Sequence, residues 1–318
     1  MLAIFLSTLS PLLVMFLCAA AGFILKKQSL LPDNADTVMS KLENYIFAPA
    51  LIIHSFMNYC TVDSLRQYSN LVLYSLLALA IAMLIGIPLS YAFVRKPTHE
   101  RSIYQYALVF ANFGFMGNAI VPAILGATDP AILYKYMLFT LPLNTAAYTW
   151  GISVLIPNTE GRNNPLKKLI NPIFVSILIG MLLGLTGLTD KLPVFAVTTL
   201  EYCKACMAPV AMLLTGFVIG KFSFKQLVTD KKIWIATAFR LLIIPCVIVG
   251  LLMLIKASDL VLIMALFAYA TPFGMNTIII PAAYGGDPRP GASMTLISQV
   301  LCTLSIPLLF ALLNTILA

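Results

Sequence analysis

The chain has 318 residues, 60% of them hydrophobic and only 10% charged, with a mean hydropathy of +0.95. A soluble domain carries about 25% charged residues, so this composition excludes a soluble globular protein. The net charge of +8 raises nucleic acid as a partner, but the basic residues sit in short connections between apolar runs, where they encode membrane topology; no nucleic-acid partner is expected.

Apolar runs of about 20 residues recur along the chain, each long enough to span a bilayer. None alternates with the period of two that a membrane barrel needs. The fold class expected is an all-α membrane protein with ten transmembrane helices, at 4–25, 39–58, 69–94, 103–127, 131–156, 169–188, 195–220, 232–255, 260–285 and 292–316. No basic stretch precedes the first run, and Lys26 and Lys27 follow it, which fits a membrane helix and not a cleaved signal peptide. Connections after spans 1, 3, 5, 7 and 9 hold fourteen Lys and Arg, against five on the other side. The excess of positive charge marks the cytoplasmic face. A multi-pass protein of the plasma (inner) membrane is expected, with both termini outside.

The two halves repeat. Pro11 pairs with Pro172, Leu31-Pro32 with Leu192-Pro193, Ala48-Pro49 with Ala208-Pro209, Pro122 with Pro281, Gly126 with Gly285, and Asp129-Pro130 with Asp287-Pro288. The offset drifts only from 161 to 158. Five spans per unit is an odd number, so the second unit enters the membrane from the opposite side. The expected plan is a first five-helix repeat at 1–156, a cytoplasmic connecting loop at 157–168 and a second repeat at 169–318. Inverted repeats of this kind are the plan of many secondary transporters.

Spans 4 and 9 carry unusual polarity. Asn112-Phe-Gly-Phe-Met-Gly117-Asn118-Ala119 and Thr271-Pro-Phe-Gly274-Met-Asn276-Thr277 lie inside long apolar segments. Gly loosens a helix and Pro removes a donor. Unpaired backbone at membrane depth is tolerated only inside protein or along a watered cavity. Both spans are expected to break near mid-membrane, with half-helix N-termini suited to an anion. Asn112, Asn118 and Asn276 add side-chain donors and acceptors. Asn144 in span 5 and Gln299 in span 10 hold related places in the two repeats and are expected to line the cavity.

Two charged or titratable candidates lie elsewhere in the spans. Arg240 lies about nine residues into span 8. A charge at that depth costs at least about 2.5–3.5 kcal/mol on insertion scales, so it is a candidate partner for a substrate carboxylate, with snorkelling as the plain alternative. His54 is the only intramembrane His and a candidate proton-coupling group. Glu43 and Glu201 read as belonging to solvated helix ends. Cys203 and Cys206 have CxxC spacing, without the second ligand pair or βαβ context that a metal or redox role needs. No phosphate-binding loop, metal cluster or nucleophile–base pair stands out, so no cofactor, metal or enzymatic activity is expected.

These stretches resemble the auxin efflux carrier family, which includes plant PIN carriers and bacterial malate or malonate permeases. Asn112-Phe-Gly-Phe-Met-Gly117 resembles its helix-4 signature. Thr271-Pro272, Ala283-Tyr284-Gly285 and Asp287 resemble its helix 9, Asn171-Pro172 with Gly180 and Gly184 its helix 6, and Ala208-Pro209 with Gly216 its helix 7. The resemblance covers nearly the whole chain. It implies two inverted five-helix repeats, unwound and crossing helices 4 and 9, elevator-like movement of one subdomain against another, and a homodimer. It also implies a small organic anion as substrate, bound at a crossover at Gly117–Ala119 and Asn276–Thr277. One departure is clear: the family usually has Pro where Ala119 stands, and its plant carriers have Pro where Thr277 stands, so Asn118 and Asn276 are expected to hold the unwound segments instead. A proton- or sodium-coupled symporter of another solute, or a passive channel-like pore, are the competing readings. A pore would want a continuous polar stripe, whereas the polar groups concentrate at two breaks.

Overall fold

A computed structural model describes residues 2–156 and 172–317; the connecting loop 157–168 and Asn171 lie outside the described residues. Within them the chain forms helices and no named strand. In order these are α1 (Leu2–Lys27), α2 (35–59), α3 (Val62–Phe93), α4 (His99–Val109), α5 (Phe113–Leu125), α6 (132–155), α7 (Pro172–Thr186), α8 (Val194–Gly220), α9 (Phe224–Val228), α10 (Lys231–Leu254), α11 (Asp259–Ala270), α12 (Asn276–Ala283) and α13 (Arg289–Leu317). Five of them, α1, α3, α8, α10 and α13, are long and apolar enough to cross a membrane. Large apolar side chains such as Leu17, Leu84, Phe195 and Leu254 face outward. Such a surface suits lipid and not water: the chain is an all-helical, multi-pass membrane protein.

Local sequence sets many of the helix ends. Thr61 and Ser64 form a reciprocal capping box that starts α3, satisfying two otherwise free N–H groups. Inside α2 and α10, wide π-helical turns at Glu43–Phe47 and Phe239–Ile243 stand just before Pro49 and Pro245. Proline has no N–H and its ring crowds the carbonyl four residues back. One extra residue in the turn absorbs both effects while the helix continues.

The helices pack in a few extensive pairs. α1 lies along α8 and also touches α13, and α2 packs on α7 and α8. α3 packs on α4 and α6, and α10 on α11 and α13. The α1–α8 contact is made by small residues: a methyl group on Gly22 or Gly216 would run into the backbone carbonyls of Leu213 or Ala19. Lipid gives helices no hydrophobic reason to associate, so close backbone approach supplies the attraction. Gly216→Leu is therefore expected to push α1 from α8. It should cost about 1–3 kcal/mol and appear as a lower melting temperature and loss of a monodisperse peak in detergent. Thr186→Leu, at an exposed position, should change neither.

Candidate functional site at two paired helix breaks

α4 stops at Val109 because Phe110 is extended (φ −110°, ψ 128°), and helical turns resume at Phe113. α11 stops at Ala270, with Thr271 extended (φ −66°, ψ 153°), and α12 begins at Asn276. Pro272 biases the residue before it out of the helical region, which fixes the second break locally. The two extended pieces then pair. Ala111 and Phe273 form an antiparallel bridge, and the Asn112 N–H donates to the Pro272 carbonyl at 2.8 Å. Gly274 permits this approach, since a Cβ there would lie 3.3 Å from the Ala111 carbonyl oxygen.

The remaining freed groups find partners nearby, as buried backbone must. The Met116 and Gly117 N–H groups donate to the Asn112 carbonyl at 3.0 and 3.1 Å. The Tyr136 hydroxyl donates to the Phe113 carbonyl at 3.2 Å, the Phe273 N–H to Ser298 Oγ at 3.1 Å, and Thr277 Oγ1 to the Gly274 carbonyl at 2.7 Å. The Leu108 carbonyl would ordinarily accept from Asn112, whose N–H is taken by Pro272. It accepts instead from Arg240 Nη1 at 3.1 Å.

The first break therefore lies earlier than the sequence suggests. Gly117 and Ala119 are helical, and the interruption falls at Phe110–Asn112. The second falls at Thr271–Met275, so Asn276 and Thr277 open α12. The physical reason is non-local: the extended residues are those that can pair with each other, and nothing competes with the helix at Gly117–Ala119. Gly117 serves packing, because a side chain there would run into the Tyr136 hydroxyl. Pro122 and Pro281 lie inside α5 and α12.

Asn112, Asn144, Gly274 and Asn276 line one recess together with Tyr106 and Tyr148. Asn276 Nδ2 donates to the Tyr106 hydroxyl at 2.8 Å, and Asn144 Nδ2 to the Thr140 carbonyl at 3.1 Å. Asn112 is 2% exposed and its Nδ2 has no partner among the described residues. Asn118, whose Oδ1 is also unpartnered, lines an adjoining recess with Asn144 and Thr140. Each recess measures about 30 Å³, room for about one water. A cavity of about 330 Å³ adjoins them, sharing Tyr148 and Asn276 and walled by Ser40, Lys41, Asn44 and Tyr45 of α2. Beyond it a cavity of about 580 Å³ lies beside the 2.6 Å Lys221–Asp36 ion pair. Both larger volumes fall within the range of ligand pockets, about 300–1,000 Å³.

Three sequence candidates sit apart from these cavities. Arg240 is fully buried, 5.8 Å from the Tyr269 ring centroid, with Nε and Nη2 unpartnered among the described residues. Gln299 is buried, with Nε2 directed at Met212 Sδ 3.9 Å away. His54 meets α8, with Nε2 2.9 Å from Lys204 Nζ and 3.8 Å from Glu201 Oε1. Glu43 corrects an expectation. Its carboxylate is not at a solvated helix end: the residue is 0% exposed and neither oxygen has a partner among the described residues. A span boundary read from hydropathy gives depth but not facing, and α2 turns this residue inward.

Of the cavity-lining residues that went unnoticed, Asp36, Ser40 and Asn44 follow a four-residue spacing that marks one face of a helix, a legible signal. Tyr106 and Tyr148 left none, being aromatic residues in apolar helices.

Paired breaks among membrane-length apolar helices, with a ligand-sized cavity beside them, suit a membrane transport protein. Residues 7–310 match the family described as Membrane transport protein, and the chain belongs to that family, the auxin efflux carrier family of the resemblance above. It is also similar to an uncharacterized transporter of Methanothermobacter thermautotrophicus, 21% identical over 309 residues that cover 96% of this chain and 98% of the relative.

The Gly117–Tyr136 contact is testable by a double-variant cycle. Gly117→Ala should cost about 1–3 kcal/mol by overpacking. In the Tyr136→Phe background, where the hydroxyl is gone, the same change should cost less. Thermal melting of the four proteins measures the difference.

Proposed function

We propose that the protein carries a small organic anion across the membrane by elevator-like alternating access. Ten transmembrane helices form two inverted five-helix repeats, and the substrate is held near Asn112, Asn118, Asn144 and Asn276. The observation that carries this reading is a series of cavities with shared lining residues, of about 580 and 330 Å³, that ends in the water-sized recess at the paired breaks. A carrier needs such a one-sided approach to a midplane site, whereas a pore needs a path that continues.

The packing supports the repeat. Exchanging the halves turns α1–α8 into α7–α2, α3–α4 into α10–α11, α3–α6 into α10–α13, and α6–α11 into α13–α4; all of these contacts are present. The related seams differ in closeness: α1 is packed on α13, while Asn144, Tyr148, Ile173 and Ile177 of α6 and α7 line a gap of about 10 Å³, too small for a ligand. Alternating access would exchange the packing of these two seams. The cavity opens beside Asp36, Lys221 and Pro288, on the side that the distribution of Lys and Arg marks as cytoplasmic.

Arg240 fits a supporting role at the site. It bonds the carbonyl end of α4 and stacks near Tyr269 at the end of α11, and helix C-termini carry partial negative charge. On this reading it is a fixed cation that holds the two broken ends together.

A thermal-shift screen of organic acids on purified protein tests the substrate class. A true ligand at a hundred times its Kd should add about 2.7 kcal/mol, and no stabilisation by any organic anion argues against the reading. Asn112→Ala and Asn276→Ala should cut uptake into proteoliposomes at least tenfold while leaving melting within a few degrees. Normal uptake by both variants would refute the site.

A further inference from the structure

Lys41 is assigned no role by the site as described, yet it stands where the two larger cavities meet. Together with Ser40 and Ile279 it lines both the outer cavity of about 580 Å³ and the inner one of about 330 Å³ that reaches Asn276. It is exposed and has no hydrogen bond or ion pair among the described residues. The other charged groups along this route cancel: Lys221 Nζ is 2.6 Å from Asp36 Oδ2. Glu43, two residues on, lines neither cavity. The inner cavity otherwise presents neutral groups, among them Asn44, Tyr45, Tyr148 and Asn276. One uncompensated ammonium in a narrow cleft with low-dielectric walls focuses its field along the cleft and raises the local concentration of anions.

We propose that Lys41 is the anion-recognition residue of this cavity: it draws a carboxylate-bearing solute in from the basic end and holds it one step short of the asparagines at the breaks. The assignment deepens the organic-anion reading and rests on it for the identity of the solute. The local positive potential is a separate, measurable property. Lys41 acts in capture, so its removal falls on KM more than on kcat. Arg at this position keeps the charge, and Gln removes it at similar length.

The test uses full-length protein in proteoliposomes, with the exposed Cys206 and Cys246 changed to Ser and a reporter thiol introduced by Ile279→Cys. A second reporter, Tyr45→Cys, guards against misfolding of the first. The thiol is reacted with two methanethiosulfonates of similar size, one bearing a sulfonate and one a trimethylammonium group. Lys41→Gln should lower the sulfonate-to-ammonium rate ratio about fivefold or more, as expected for a unit charge a few ångströms away in a medium between water and protein. Lys41→Arg should preserve the ratio. A ratio unchanged by Lys41→Gln at both reporters overturns the proposal. In parallel, for the organic acid that the thermal-shift screen selects, Lys41→Gln should raise KM about fivefold with kcat within twofold, and Lys41→Arg should restore KM. A fall in kcat at constant KM also overturns the proposal. Failure of the organic-anion reading looks different: the rate ratio still depends on Lys41, but wild-type protein moves no organic acid.

Discussion

The structure turns on one constraint: backbone N–H and C=O groups freed inside a membrane must find partners within the protein. Breaking a single helix would leave those groups stranded. Breaking two side by side lets each supply the other, and the Ala111–Phe273 bridge with its 2.8 Å bond from Asn112 to Pro272 is the result. That pairing has a cost one turn back, where the Leu108 carbonyl loses its helical donor. Arg240 fills the place. A fully buried guanidinium in an apolar helix, which composition alone would make improbable, follows from the way the two breaks are satisfied.

The same breaks concentrate polarity. Asn112 from the first break, Asn144 from α6 and Asn276 from the start of α12 converge on a recess with room for about one water. The ligand-sized space lies beside it, between α2 and the second half-helix α12. A cavity bounded by a broken helix pair and a neighbouring helix would change shape if those elements slid past one another.

Much of this is legible in the sequence. Runs of apolar residues gave the helices, and Gly274 and Asn276 inside an apolar run announced a break in span 9. The matched prolines and glycines of the two halves tied that break to a partner near Asn112. The exact residues of the first break were not legible. Gly117 and Asn118 look like the weak point, but Gly117 is small because Tyr136 lies against it, and the extended residues Phe110–Asn112 carry no breaker of their own. The burial of Glu43 is hidden from the sequence for a similar reason: hydropathy reports how deep a residue lies along the helix, and not toward which neighbour it points.

By itself the sequence determined the class of protein, the helices and the chemical character of the two interruptions, because period, length and proline act locally along the chain. The tertiary structure decided where the first interruption falls, which asparagines share a recess, and why Arg240 stands where it does. Each of those depends on contacts between segments from opposite halves of the chain, and hydrogen bonds across such distances in sequence leave no local pattern to read.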